Sequence, residues 1–253
     1  MRLRILVTAV LLLILSYSFF WYYMAGEVED RIEVWVSQQK SRGLSIRYED
    51  LEINGFPYRL ELSLTGLRVI KAGRGKLPLL VTFPHMTLVA FPWKINHGVI
   101  VSDGGTLRVG RRRHPALTMD FGKIRASVII DLTHRKFQRA SLIIKKLTWT
   151  TGGAELSGAG QVKLHIMKPA PSGEAENMEL PLQMKLYLEA EDVIAREIPV
   201  GIFGRTADQV KIDLQLHGEE FPAYSKDSLA LWRDNGGTLT IKNFAITSGK
   251  MDI

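Results

Sequence analysis

The chain contains no cysteine. That excludes a disulfide framework, a thiolate metal site and cysteine nucleophile chemistry. Histidine is sparse, and His85, His97, His114, His134, His165 and His217 never stand at metal-ligand spacing from one another or beside an acidic partner. Each therefore reads as a solvated or strand-face histidine, and no metal site is expected. A Gly-x-Ser-x-Gly elbow is missing. Gly73-Arg74-Gly75-Lys76 lacks both the Walker spacing and the following Ser or Thr, so it reads as a flexible basic loop. Glu191-Asp192 and Glu219-Glu220 are carboxylate neighbours in the chain, which says nothing about acid–base geometry. No catalytic residue and no cofactor site is expected, and the expectation is a protein that is not an enzyme.

Acidic residues are scarce in the middle of the chain. Between Arg108 and Lys146 stand eleven Lys and Arg against Asp120 and Asp131 alone. The balance reverses between Ser172 and Glu197, where seven acids face Lys185 and Arg196. The formal charge is +7. A basic middle can face anionic lipid headgroups, each nearby cation contributing about 1 kcal/mol. It can equally be a solvated strand face carrying Lys and Arg against edge-to-edge pairing. No nucleic-acid-binding module is visible, so nucleic acid is not an expected partner.

One long hydrophobic run is present. Ile5 to Met24 is interrupted only by Thr8, Ser16 and Ser18 and holds no ionised side chain. At about 1.5 Å per residue this run spans a hydrocarbon layer of roughly 30 Å. Phe19, Phe20, Trp21, Tyr22 and Tyr23 crowd its C-terminal end, where amphipathic rings favour the headgroup zone. The expected membrane anchor is thus a single span carrying Ile5, Leu12, Phe19, Trp21 and Tyr23. A cleaved signal peptide has a shorter apolar core and small residues at the cut. Here Tyr23-Met24-Ala25 places a bulky residue before the cut, which favours retention. Arg2 and Arg4 precede the span, favouring a cytoplasmic N-terminus, although Arg31, Lys40 and Arg42 follow it closely.

Glu27 to Arg42 has helical periodicity. Val28, Ile32, Trp35, Val36 and Gln39 are assigned to one face, and Gly43 suits the C′ position of a helix end. From Leu44 onward the period becomes two. Tyr58 to Thr65, Leu117-Met119-Phe121, Ile124 to Val128, Val162 to Ile166, Met184 to Leu188, Val210 to Leu216 and Leu239 to Ile241 all alternate apolar and polar. Such alternation marks antiparallel strands with one dry face and one wet face. Asn54-Gly55, Asp103-Gly104-Gly105, Gly152-Gly153 and Asp234-Asn235-Gly236-Gly237 supply turn chemistry between them. About a dozen strands are predicted by these signals. Lys168 to Pro181 is a surface loop, Asp192 to Arg205 is ambiguous, and Ser228 to Arg233 reads as a short helix. Gly104-Gly105-Thr106-Leu107 recurs as Gly236-Gly237-Thr238-Leu239, a weak echo rather than a repeat.

The expected architecture is mostly β. Residues 1–26 form the cytoplasmic head and transmembrane anchor, 27–43 an amphipathic juxtamembrane helix, and 44–253 an extracytoplasmic β domain. The sheet is large, twisted and mainly antiparallel, with its apolar face either a closed core or an open groove. Ser248 to Ile253 begins another alternating pattern, so a fragment lacking its final strands is expected.

Gly43 to Leu60, with Gly55-Phe56-Pro57 near its end, follows a membrane anchor and a helix containing Trp35. This arrangement resembles a Gram-negative envelope family, the domain-of-unknown-function family 2125. Phe91-Pro92-Trp93 followed by His97, and Trp232-Arg233-Asp234 running into Gly236-Gly237, extend the resemblance over most of the chain. The layout is also similar to anchored β-rich envelope proteins of the AsmA class. The resemblance implies a bacterial inner-membrane protein, single-pass, with its bulk in the periplasm, and supplies no active-site residues. In plain structural terms, Gly55 permits a turn and Pro57 fixes the backbone entering the Tyr58 strand. The function expected is binding or shielding of phospholipid in envelope lipid handling. The alternative is a non-enzymatic structural or assembly factor that binds an envelope protein.

Overall fold

The computed structural model describes residues 2–252 apart from 42, 72–76, 112–113, 134–135, 154–155, 170–179, 197–203, 219–227 and 250. The Gly73–Lys76 loop, His134, Glu219-Glu220, most of the 168–181 loop and the centre of the ambiguous 192–205 segment lie outside the described residues.

Helix α1 runs unbroken over Arg2–Ser41, 40 residues, or about 60 Å. The anchor and the juxtamembrane segment are one rod, with no break between residues 26 and 27. Gly43, at φ 76°, ends the helix. Its N–H donates to the Lys40 carbonyl at 3.1 Å, as a left-handed cap requires.

The strands follow as β1 (Leu44–Arg47), β2 (Asp50–Asn54), β3 (Leu60–Lys71), β4 (Leu79–Phe91), β5 (Lys94–Ser102), β6 (Gly105–Arg111) and β7 (His114–Phe121). Next come β8 (Ile124–Asp131), β9 (Lys136–Thr151), β10 (Ser157–Met167), β11 (Leu182–Ile194) and β12 (Thr206–His217). After the short helix α2 (Ser228–Asp234) come β13 (Thr238–Ser248) and β14 (Met251–Asp252). All belong to one 14-stranded sheet, and every ladder described in it is antiparallel.

Its topology is simpler than the strand order suggests. β5 pairs with Met86–Phe91 of β4, and β6 continues in the same direction beside Leu79–Thr82. Asp103-Gly104 is therefore a kink within one long strand, not the reversal its turn chemistry suggested. β7 and β8 are likewise two halves of one strand lying between β5–β6 and β9. β1 and β2 are two halves of another, both paired to β3. The result is an up-and-down meander. Asp234-Asn235-Gly236-Gly237 is also no hairpin turn. It closes α2, with Gly236 N–H on the Arg233 carbonyl at 3.1 Å and Gly237 N–H on the Trp232 carbonyl at 2.9 Å. That pair of bonds is a Schellman end.

The kinks are not scattered. Constant register on either side aligns Glu49, Gly66, Pro84, Gly104, Gly122, Lys146, Gly160 and Asp192 in a single row across the sheet. Ladder pairing lapses along this row. Gly66, Lys146 and Asp192 have φ of 63°, 56° and 53°, in the left-handed region. Pro84 has no N–H to pair. Gly122 is held close to β9 by its N–H on the Lys146 carbonyl at 3.2 Å. No residue is inserted, since register is the same on both sides, so the lapse creases the sheet without shifting its pairing.

The crease has a sequence signature. Apolar residues step by two up to it and then by three across it: Leu62, Leu64, Leu67, Val69 on β3, and Leu142, Ile144, Leu147, Trp149 on β9. The slip keeps the apolar set on one side of the sheet. Leu62, Leu64 and Leu67 form one cluster with Val69, Phe83, Met86 and Leu88 from both sides of the row.

Candidate functional site

The feature that organises this molecule is the apolar face of the creased sheet. Register places Leu62, Leu88, Ile100, Ala126, Leu142, Leu164, Leu188, Ile212 and Phe244 side by side from β3 to β13. The neighbouring row reads Leu64, Met86, Ser102, Ile124, Ile144, Val162, Ala190, Val210 and Ile246. Cross-strand partners share a face, so these rows form a continuous greasy surface.

Helix α1 covers only its first strands. Trp21 and Ala25 cluster with Leu60, with Val28 and Ile53 packed beside them. Ile32 packs on the Leu62, Leu64 and Leu67 cluster. These contacts help bury Leu60, Leu62, Leu64 and Leu67. Trp35, assigned from sequence to the packing face, is 52% exposed. The packed or buried residues of this stripe are Trp21, Ala25, Val28, Ile32 and Gln39; a 3.6-residue period from Trp21 also reaches Trp35, which nevertheless stays exposed.

Farther along, the cover stops. Ile100, Ala126, Leu142, Leu164, Leu188 and Ile212 are only partly buried, and Phe244, Ile241 and Leu239 are exposed. The whole molecule exposes 18034 Å². A globular chain of 28.5 kDa would expose about 11,000 Å². The bare N-terminal half of α1 contributes to the excess, and so does the apolar sheet face, most of which has no second layer over it among the described residues.

The opposite face is polar and crosslinked. Lys163 Nζ lies 2.8 Å from Glu191 Oε1 and 3.6 Å from Glu189 Oε2. Gln161 donates to Glu191 at 3.1 Å, Gln209 to Glu189 at 2.6 Å, and the Tyr187 hydroxyl to Glu189 at 3.1 Å. The Glu191 hydrogen bond chiefly holds the Lys163 ammonium above its ordinary range, and the same bond holds Glu191 below the usual carboxylate range. Burial, then the bond to Glu189, raises the Tyr187 phenol. All of these groups pair with protein, so the network fastens β10, β11 and β12 together. Asp192, the chain neighbour of Glu191, sits instead at the crease.

A concavity of about 750 Å³ lies across the crease and carries Glu49, Thr65, Arg68, Thr82, Arg108 and Arg111 on its walls. Thr65, Arg68, Thr82 and Arg108 alternate out of phase with the greasy face, so these walls belong to its other side. His85 meets Thr87 at 3.3 Å and His165 meets Ser141 at 2.9 Å, each a local contact. Among the described residues no group of His, Asp and Glu has the arrangement of a metal site.

The predicted anchor residues separate into two sets. Ile5, Leu12, Phe19 and Tyr23 are exposed at 63%, 61%, 76% and 62%, whereas Trp21 is 3% exposed. Trp21 meets the Gly55-Phe56-Pro57 turn. Its ring contacts Phe56 edge to face at 5.5 Å, and Tyr22 stacks on the same Phe56 at 5.6 Å. Trp21 Nε1 donates to the Arg59 carbonyl at 3.1 Å, and the Tyr17 hydroxyl donates to the Pro57 carbonyl. The structure thus joins two features that sequence reasoning kept apart. The turn itself has a compact form, with Gly55 at φ 101° and a hydrogen bond from Arg59 N–H to the Gly55 carbonyl at 3.0 Å.

Among the described residues, one helix long and apolar enough to cross a membrane, leading into a large antiparallel sheet, defines a class of protein rather than an activity. The chain belongs to the domain-of-unknown-function family 2125, described as an uncharacterized protein conserved in bacteria, which matches residues 21–253. The match includes Trp21 and the packing half of α1. No curated protein and no solved structure matches the chain.

Proposed function

We propose that this protein is a retained, single-span inner-membrane protein whose periplasmic sheet binds lipid acyl chains on its apolar face. The observation that carries this reading is the apolar surface from β3 to β13, interrupted in its two central rows only by Ser102 and covered by α1 only at its beginning. A stack of half-covered Leu, Ile and Val offers roughly 0.8 kcal/mol for each methylene it removes from water. A two-chain lipid laid along it would be held firmly. Retention of α1 is supported by the same contacts. Cleavage after Ala25 would strip Trp21 from Leu60 and leave the Arg59 carbonyl without its donor. In this reading the role is binding and shielding rather than catalysis, and Arg2 and Arg4 stay on the cytoplasmic side.

The test is native mass spectrometry of the full chain extracted from membranes with its lipids. Phospholipid adducts, or uptake of added phospholipid after delipidation, are expected. Absence of both overturns the reading.

A second reading draws on one specific feature. Among the described residues, the outer edge of β13 is unpaired from Thr238 to Ile246, since β14 covers only Thr247 and Ser248. Leu239, Ile241 and Phe244 stand exposed along it. An envelope protein adding a strand there would extend the sheet and cover those side chains. Crosslinking in cells from position 244 separates the two readings. A single defined protein adduct without lipid supports strand addition.

A further inference from the structure

Tyr17 and Trp21 lie inside the apolar run of α1, yet both are bonded to the Pro57–Arg59 backbone. The turn therefore sits beside the last part of the run, not beyond it. At about 1.5 Å per residue, Tyr17 is roughly 10 Å and Trp21 roughly 5 Å short of Met24 along the axis. From there α1 follows β3, meeting first Leu60 and then the Leu62–Leu67 cluster. Helix and strand run alongside each other in the same direction. The end of the sheet holding the Gly55–Arg59 turn consequently points toward whatever membrane holds α1.

Two more turns share that end. Leu60 registers with Ala90, which brings the Phe91-Pro92-Trp93 turn alongside. His97 registers with Ile129, which brings up the turn containing Leu132. Each turn carries bare apolar side chains among its described residues: Tyr58 is 72% exposed, Trp93 64%, Leu132 53% and Phe56 43%. Water is a poor environment for rings at turn tips, whereas the headgroup zone favours them. Lys94, exposed beside Trp93, suits anionic headgroups.

We propose that this end of the sheet is seated in the headgroup layer of the leaflet that α1 leaves, with Tyr58 and Trp93 as its contacts. The occupant of these tips is the bilayer itself. The lower margin of the apolar face then opens directly onto acyl chains. The proposal rests on α1 spanning the membrane and does not depend on lipid uptake by the sheet.

The absence of native cysteine makes the test clean. Single-cysteine variants Tyr58→Cys and Trp93→Cys of the full chain carry a nitroxide in nanodiscs of phosphatidylethanolamine and phosphatidylglycerol. Leu12→Cys serves as the bilayer reference and Leu77→Cys, at the opposite end of the sheet, as the water reference. Collisions with oxygen and with a water-soluble nickel chelate are compared at each site. The oxygen-to-nickel ratio at Tyr58→Cys and Trp93→Cys is expected to shift from the Leu77→Cys value toward that of Leu12→Cys. Ratios equal to the Leu77→Cys value overturn the proposal, as does shielding from both reagents, which would mean a protein covers the tips. A watery Leu12→Cys site instead defeats the reading of α1 as a span, a separate failure.

Discussion

Trp21 Nε1 donates a hydrogen bond across the chain to the carbonyl oxygen of Arg59, 3.1 Å away. The indole that makes it is the most buried apolar side chain described, at 3% exposure. One residue thus fastens the N-terminal helix to the first long strand.

Removing that indole leaves a cavity over Leu60 and an unpaired carbonyl. Trp21→Ala should destabilise the domain by about 3–5 kcal/mol, the usual range for a buried tryptophan. Trp21→Phe keeps much of the ring volume but loses the donor, and should cost about 1 kcal/mol through the lost hydrogen bond. Urea unfolding of the full chain in detergent measures both. Equal stability of the alanine variant and the parent would show that the helix does not dock there.

The crease makes a prediction of opposite sign at neighbouring positions. A Cβ on Gly122 would run into the Lys145 carbonyl oxygen, so Gly122→Ala should cost about 1–3 kcal/mol by overpacking. Lys146 already holds φ 56°, a conformation costing an L-residue about 1–2 kcal/mol. Lys146→Gly relieves that cost and gives back about 0.5–1 kcal/mol in chain entropy. It should be neutral or slightly stabilising, while Lys146→Val should be worse than the parent. Chemical unfolding of the three variants orders them, and a stable Lys146→Val would rule out the left-handed conformation at Lys146.

On the apolar face, Leu188→Gln places an amide in the centre of the surface proposed to hold acyl chains. Lipid adducts in native mass spectra should fall sharply for this variant. Gln215→Ala, whose position alternates onto the polar side, should leave them unchanged. Equal lipid loss in both variants would show that lipid is held elsewhere.

The polar network sets a pH dependence with two limbs. Glu191 is held below its ordinary range, chiefly by its hydrogen bond from Lys163. Its contribution is present above the unfolded carboxylate pKa and is lost as pH falls through the folded value. Lys163 is held above its ordinary range, chiefly by the same bond. Its contribution is complete below the unfolded lysine pKa and is lost as pH rises through the folded value. The raised Tyr187 phenol acts on the same alkaline limb, because the fold favours its neutral form. Glu191→Gln should therefore weaken the pH dependence of the urea midpoint at both extremes. A profile that superimposes on the parent's would remove the network from any role in stability.

Much of the architecture was legible because it is set by local periodicity. The apolar run before Met24, the helical spacing to Gly43 and the alternation from Leu60 onward each determine an element type from nearest neighbours alone. The greasy face was legible too, since alternation within each strand assigns its side. The crease was missed, although the three-residue steps Leu64 to Leu67 and Ile144 to Leu147 carry it. Each step looks like noise in one strand and acquires meaning only when register aligns them all. The same holds for Asp103-Gly104-Gly105, whose residues suit a reversal or a kink equally well.

The sequence by itself thus determined that a long apolar helix precedes an antiparallel sheet with one oily side. Tertiary structure alone decided which part of that helix packs on the domain. Trp21 reads as one more ring in an aromatic belt until the Gly55–Arg59 turn arrives beside it, its bonding partner 38 residues away. Such a contact depends on the path of the intervening chain, and no local pattern records it.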